Sequence, residues 1–423
     1  MQDQLRKTYD DHGCSRRGFL HGIAGAVTAG PLLDVMTALA DEQPAAKPSA
    51  DKPAPQEKIK LGMIGCGGRG SWIAPLFLRH GGYVIHAAAD YFPDAVETFG
   101  EKFGVPAVRR FSGLNGYRRV IESGVDAVVI IVPPYFASYH VAAAAEAGLH
   151  VWVAKPSAID VPGCHRLEEA NKAAQAHRKV FFVDYQMHTD PVNIEVAARL
   201  RRQEAGKIAK ISTIGISGGH NDPPKTATIE SRLRHGIWSN DLALSGSLIV
   251  EYDIHAIDAV IWLLSRRPVA ALGSSAICRA DPHGDSHDVC SVIFEYEDGL
   301  LHEHSGVALP TGAGGELSCR VFCQFGHAVL TYTKKARFHR RGQEPFAAEV
   351  ENLYEAGAVR NIASFYEDVI AGRCENPTVR RAIDGCLTCI LGREAGFRKG
   401  RLTMAELLAE NKPLEADLTG LKE

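Results

Sequence analysis

Short apolar runs separated by helical patterns mark the chain from Lys58 to about Val183. Strands are predicted over residues 59–64, 83–89, 125–132, 150–153 and 179–183. The run at 125–132 is almost continuously apolar, as expected of a parallel strand covered on both faces, and Pro133-Pro134 stops it. Helices are predicted near 95–103, over 139–147 with Gly148 as the terminator, and over 164–177. This strand–helix alternation predicts a doubly wound parallel sheet. The pattern then changes. Strand-like runs at 210–216, 269–275, 289–296, 300–306, 319–325 and 328–333 follow one another through turns such as Glu297-Asp298-Gly299, an antiparallel signal. Helical patterns precede them at 192–202 and 254–264 and follow them at 358–370 and 383–393. The second half therefore reads as an α+β domain on an open, largely antiparallel sheet.

The first stretch does not belong to either pattern. Ser15-Arg16-Arg17-Gly18-Phe19-Leu20 carries a twin-arginine signature, a mildly apolar stretch follows, and Ala38-Leu39-Ala40 offers a small-x-small cleavage site. Residues 41–57 are rich in Pro, Ala and Lys and poor in large apolar groups, as in a tether. The expected organisation is a signal at 1–40, a linker at 41–57, a parallel-sheet α/β domain at 58–185, and an α+β domain at 186–423. Export by the twin-arginine route is expected, to the periplasm or another extracytoplasmic space.

Composition narrows the field without naming a chemistry. A chain of 423 residues with 45% hydrophobic and 23% charged residues is ordinary globular material, long enough for two cores. A net charge of −3 makes no electrostatic case for nucleic acid, and no apolar run is long enough to span a membrane without interruption. Of ten cysteines, Cys14 lies in the signal and the rest show no disulfide-framework spacing. Cys386-Leu387-Thr388-Cys389 falls in an apolar helical run and reads as buried small side chains. Unpaired thiols in an exported chain fit export after folding in the cytoplasm.

The chemistry concentrates where the first strand ends. Gly65, Gly67 and Gly70 stand at G-x-G-x-x-G spacing, with Gly68 and Arg69 inside the loop. The first glycine permits the turn, the second lets backbone approach a pyrophosphate, and the third lets a helix pack closely with its N–H groups toward phosphate. The second strand ends at Asp90, 20 residues past Gly70, placed to accept hydrogen bonds from an adenosine ribose. Tyr91-Phe92-Pro93-Asp94 offers no cation for a 2′-phosphate, so NAD is preferred to NADP.

The glycine loop, Asp90, the Pro133-Pro134 strand end, Lys155-Pro156, Gln186 and Glu251-Tyr252-Asp253-Ile254-His255-Ala256-Ile257-Asp258 resemble, in that order, the Gfo/Idh/MocA family. This is the glucose-fructose oxidoreductase and inositol dehydrogenase group, and the resemblance spans roughly residues 58 to 415. It implies a Rossmann dinucleotide-binding domain at 58–185 and a substrate-binding and oligomerisation domain at 186–423, in an NAD(P)-dependent oxidoreductase acting on CH–OH groups of a sugar or polyol. It implies cofactor contacts from Pro133, Lys155 and Gln186 beside the glycine loop. It also implies that Lys155 contacts the reacting hydroxyl and that Glu251 and His255 line the substrate pocket. An ammonium there would stabilise developing alkoxide, and an imidazole suits removal of the hydroxyl proton. Two positions depart from the family pattern: Ala154 replaces the glutamate usual before Lys155, and Ala137 replaces a histidine for which His140 is the nearest substitute. The Ala-Lys-Pro form resembles an exported subgroup with few assigned substrates.

Other polar clusters suggest no site. His302-Glu303-His304 puts two imidazoles on one strand face but spacing supplies no third ligand, so no metal is expected. The 281–288 segment reads as a polar turn, and the basic residues at 334–341 as a solvated hairpin loop.

NAD is not expected to exchange freely outside the cytoplasm, so an exported member is expected to keep its nucleotide. The preferred expectation is a sugar or polyol oxidoreductase with tightly bound NAD. The alternative is a redox-neutral NAD-dependent glycoside hydrolase or lyase acting through a 3-keto sugar. A non-catalytic sensor that keeps the fold is the third. A small carbohydrate is the expected partner, and the open sheet predicts a homo-oligomer.

Overall fold

The computed structural model describes residues 58–222 and 228–423; the expected signal and linker lie outside the described residues. Six parallel strands form the first sheet: β1 (Ile59–Ile64), β2 (Tyr83–Asp90), β3 (Arg110–Ser112), β4 (Ala127–Ile130), β5 (His150–Ala154) and β6 (Phe181–Asp184). Their order is β3-β2-β1-β4-β5-β6, the dinucleotide-binding order whose direction of growth reverses between β1 and β4. Helices α1 (Gly68–His80), α2 (Pro93–Phe103), α3 (Gly116–Ile121), α4 (Pro134–Glu146) and α5 (Val161–Ala176) make the crossovers. α4 starts well before its predicted start, because Pro134 occupies its first turn: the proline that ends β4 also has the right φ to begin a helix.

After α6 (Pro191–Arg201) comes β7 (Ile208–Ser217), the first strand of a second, mixed sheet. Three single-turn helices, α7 (Ile229–Arg232), α8 (Leu242–Ser245) and α9 (Leu248–Glu251), lead to α10 (Ile254–Leu264), whose bounds are those predicted. Then follow β8 (Ala270–Ala276), β9 (Val289–Glu295), β10 (Leu301–Ala308), β11 (Glu316–Cys323), β12 (Gly326–Thr331), β13 (Lys335–Arg340) and β14 (Phe346–Glu349). The chain closes with α11 (Leu353–Ala371), α12 (Pro377–Arg398), β15 (Arg401–Thr403) and α13 (Met404–Glu410). The nine strands run β14-β13-β12-β11-β7-β10-β9-β8-β15; β7 and β10 pair in parallel and every other neighbour is antiparallel. The basic segment expected as a loop is the strand β13, paired on both edges so that alternate side chains, Ala336 and Phe338, are buried while the charges face out.

The last two long helices return to the first sheet. Ala358, Ile362 and Phe365 of α11 enter the core beneath β1, β2 and β6, and Tyr83 donates its hydroxyl to the Ile362 carbonyl at 2.8 Å. α12 packs on β8, α10 and α5, with Cys386 and Cys389 buried as free thiols. Burial of a large apolar side chain contributes about 2 kcal/mol, so this return ties the two sheets together over many residues. Among the described residues, no helix is long and apolar enough to cross a membrane.

Candidate active site

The glycine loop leaves β1 at the point where strand order reverses. Gly65 has φ +100, and a Cβ there would lie 1.9 Å from the Ile131 carbonyl oxygen. A Cβ on Gly70 would lie 2.0 Å from the Gly65 carbonyl oxygen. Both positions therefore require glycine, for conformation at the first and for close helix packing at the second. Gly67 and Gly68 differ: a Cβ on either would meet nothing within 4 Å, so they line open space. Gly67 caps α1 without any side-chain hydrogen bond and no acid sits in the first turn, so the leading N–H groups stay available to phosphate. Arg69 stands beside them with its Nη1 buried and without a hydrogen-bond partner. At the end of β2, Asp90 accepts from the amides of Cys66 (2.8 Å) and Phe92 (3.0 Å), which fixes the carboxylate across from the loop. Burial raises its pKa, opposed by those two amides. An open glycine cradle, an uncapped helix end, an orphaned guanidinium nitrogen and an anchored acid fit a dinucleotide. The four residues after Asp90 bring no cation, as read from sequence, and the fold adds one from far along the chain. Arg234 lies over the Phe92 ring at 3.8 Å, but both its outer nitrogens pair with Asp94 at 2.9 Å.

Lys155 follows β5 at the same sheet edge. Its ammonium donates to the Glu251 backbone carbonyl at 2.5 Å, across 96 residues of sequence. That bond joins the first sheet to the segment that opens α10, and leaves two of the three ammonium protons for another acceptor. Burial pulls the Lys155 pKa down, Glu251 opposes this, and Arg69 adds to it. Pro133 caps α4 at the neighbouring strand end.

His255 is buried in the first turn of α10, where its Nδ1 meets the Tyr332 hydroxyl at 2.7 Å. Burial, then the Lys155 and Arg69 cations, push its pKa well below the ordinary imidazole range. The ring is therefore neutral at neutral pH, as a proton acceptor must be. Glu251 does not touch this ring. Its Oε2 lies 3.9 Å from His220 Nε2, and both atoms are buried without a hydrogen-bond partner. Two unsatisfied polar atoms at that separation suit a bridging hydroxyl.

Gln186 is in the interior, 1% exposed, with both ends of its amide engaged: Nε2 to Asp184 (2.7 Å) and Oε1 to Tyr332 (3.1 Å). Asp184 also accepts from Arg69 (2.8 Å) and from Asn361 of α11 (2.7 Å). Arg69 is held further by the rings of Trp72 (5.1 Å) and Tyr354 (4.7 Å). His140 stacks on Tyr117 at 4.0 Å instead of joining this group. Sequence reading missed His220, Tyr332, Asp184 and Asn361. His220 had a local signal, a histidine after Gly218-Gly219 at the end of a strand, and Asp184 ends β6 two residues before Gln186; Tyr332 and Asn361 come from distant elements with no shared motif.

The His302/His304 pair acquires partners that spacing did not supply. His304 Nε2 lies 2.9 Å from Asp253, with Cys290 3.8 Å from the same carboxylate oxygen. Thr213 bridges His302 (2.7 Å) and His304 (2.9 Å). Glycine makes room: Cβ atoms on Gly215 and Gly306 would lie 2.0 and 2.1 Å from the Asp253 oxygens. The 281–288 turn is tied down through Arg279, which pairs with Asp222 (3.1 Å) and Asp288 (2.9 Å).

A family model for the oxidoreductase family with NAD-binding Rossmann fold, GFO_IDH_MocA, matches residues 59–185, and one for the GFO/IDH/MocA C-terminal domain matches residues 197–329. An inositol 2-dehydrogenase of Acidothermus cellulolyticus is 24% identical over 330 residues, covering 77% of this chain and 89% of that protein. An inositol dehydrogenase homolog from Azotobacter vinelandii, solved with NAD+, superposes with a TM-score of 0.70 at 20% identity, over 82% of this chain and 98% of that one. An aldose-aldose oxidoreductase from Caulobacter crescentus, solved with glycerol, gives 0.66 at 20% identity, over 82% of this chain and all (100%) of that one.

Proposed function

The chain belongs to the GFO/IDH/MocA family of oxidoreductases, and from that premise we propose that it oxidises a CH–OH group of a sugar or polyol with a tightly held NAD. The observation that carries this reading is the 2.5 Å bond from Lys155 to the Glu251 carbonyl. It brings a buried cation from the edge of the dinucleotide sheet to the segment bearing Glu251 and His255. Gly67, Gly68, Arg69 and the first turn of α1 would hold the pyrophosphate, Asp90 the adenosine ribose, and Pro133 the strand-end wall. NAD, when bound, supplies the hydride acceptor. Lys155 directs its remaining N–H groups at the reacting hydroxyl and stabilises negative charge on that oxygen. His255 accepts the hydroxyl proton on its unbonded ring nitrogen. His220 and Glu251 hold a second hydroxyl between them, which selects a substrate with more than one.

The relatives' names support the substrate class: inositol is a polyol and an aldose is a sugar. Export by the twin-arginine segment at 15–20 is part of the proposal. It draws support from the nine cysteines among the described residues, all free thiols, as expected of a chain folded in a reducing compartment first. Pairing of copies through the outer face of the second sheet is also proposed, since Leu272, Ile293, Leu301 and Phe322 are exposed there.

The test is to purify the full chain under native conditions, extract and identify bound nucleotide, and measure its mass in solution. Sugars, polyols and aryl glycosides are then screened by nicotinamide absorbance, product analysis and aglycone release. Co-purified NAD and a keto product are expected. A folded protein that neither carries nor binds NAD would refute the reading, and aglycone release with no net NADH would replace it with redox-neutral bond cleavage.

A further inference from the structure

A continuous buried chain of hydrogen bonds runs from His255 to the glycine loop. The Tyr332 hydroxyl lies 2.7 Å from His255 Nδ1 and 3.1 Å from Gln186 Oε1. Gln186 Nε2 lies 2.7 Å from Asp184, which Arg69 (2.8 Å) and Asn361 (2.7 Å) hold from other sides. All of these links are interior: Asp184 is 0% exposed, Gln186 1%, and Tyr332 and His255 6% each.

Elementary donor and acceptor chemistry gives this chain one direction. A carboxylate with three N–H donors around it only accepts, so Gln186 turns its NH2 toward Asp184 and its carbonyl toward Tyr332. A carbonyl oxygen also only accepts, so the single Tyr332 proton is committed to Gln186. The Tyr332 oxygen is then an acceptor toward His255, and Nδ1 must carry the proton. A neutral imidazole has one N–H, which leaves the lone pair on Nε2. Among the described residues Nε2 has no hydrogen-bond partner, whereas Nδ1 has Tyr332.

We propose that Tyr332, Gln186 and Asp184 form a positioning relay that holds His255 in the Nδ1–H tautomer, with Nε2 as the proton acceptor for the substrate hydroxyl. This deepens the function proposed above and rests on it for the identity of the proton. Tyr332 acts through His255 and is a positioning residue. When the hydroxyl O–H breaks, the proton binds Nε2 and the ring becomes a cation. The Nδ1–H···O bond then strengthens, backed through Gln186 by the buried Asp184 anion. The proton does not travel along the relay, because the Gln186 amide has no proton to surrender at neutral pH; it leaves Nε2 by the path it entered. The Glu251 carboxylate, four residues before His255, faces His220 instead. In this chain the orienting group is supplied by the turn after β12.

The test uses the full chain labelled with 15N-histidine. Ring-nitrogen spectra report the tautomer of His255, assigned by the signal lost in His255→Asn, and need no substrate. The wild type is expected to show Nδ1–H. Tyr332→Phe is expected to lose that bias and keep nucleotide binding. With a substrate in hand, its kcat should fall about 100-fold at little-changed KM. The acid limb of its pH profile should move further down, because the imidazolium has lost an acceptor. A wild-type ring protonated on Nε2 overturns the relay, and this measurement stands even where the variant does not fold. A folded Tyr332→Phe protein with unchanged tautomer and pH profile also overturns it. Inactivity of the wild type on every sugar and polyol refutes the function instead, while the tautomer still decides for or against the relay.

Discussion

Two buried histidines in this protein sit in polar networks of similar make-up and opposite consequence. His304 has both ring nitrogens occupied, Nδ1 by Thr213 and Nε2 by Asp253, in a pocket closed by the glycines of β7 and β10. His255 has one nitrogen held by Tyr332 and the other without a partner among the described residues, at the junction where Lys155 arrives from the first sheet. Each ring is fixed by its neighbours, but only the second keeps a lone pair that a substrate proton can use. Burial and a nearby acid are therefore poor guides to catalysis on their own; what separates these two rings is a nitrogen left without a partner beside the Lys155 ammonium.

The largest effect expected to separate the two rings is on turnover. Replacing His255 by Ala, or Lys155 by Met, is expected to lower kcat by about 10³-fold or more while NAD binding persists, measured by steady-state kinetics and nucleotide titration. His304→Leu should lower kcat in the folded fraction only a few-fold. Equal losses at His255 and His304 would end the distinction. The second effect is on stability. His304→Leu strips the buried Asp253 carboxylate of its partner and is expected to cost about 3 kcal/mol or more in urea unfolding, against a smaller loss for His255→Ala.

The smallest effect concerns a third buried histidine, one with neither role. His140 stacks on Tyr117, its Nδ1 has no hydrogen-bond partner, and burial pushes its pKa to about 3, helped by Arg118. A ring whose folded pKa is depressed stays neutral in the fold while the unfolded chain takes a proton below about pH 6.5. Stability is therefore fully present above that value and is lost as pH falls toward 3. Between pH 7 and pH 5, His140→Phe should remove about 2 kcal/mol of this pH dependence, read from urea midpoints at the two values.

Local order carried most of the fold and half of the site. The glycine loop, Asp90, Lys155 and the bounds of α10 were all readable, because each depends on residues within one strand–turn–helix unit. β13 and the start of α4 were misread for a physical reason in each case. The charges of β13 face solvent on alternate positions of a paired strand, and Pro134 begins a helix as readily as it ends a strand. The return of α11 to the first sheet was not legible, since the apolar stripe of a helix does not say which sheet it will cover.

Residue order alone dictates that β1 turns through glycine into a helix, that an acid and a lysine stand at strand ends, and that a histidine opens α10. Those are consequences of short-range geometry, and the family resemblance follows from their order. What each polar group faces was settled by the packing of distant segments. Packing gave Gln186 to Tyr332, set Glu251 facing His220, and closed His304 while leaving His255 Nε2 without a partner among the described residues. Hydrogen-bond partners are set by atoms within about 3 Å. In this site those atoms come from segments far apart in the chain, such as Gln186 and Tyr332, which are separated by 146 in residue number.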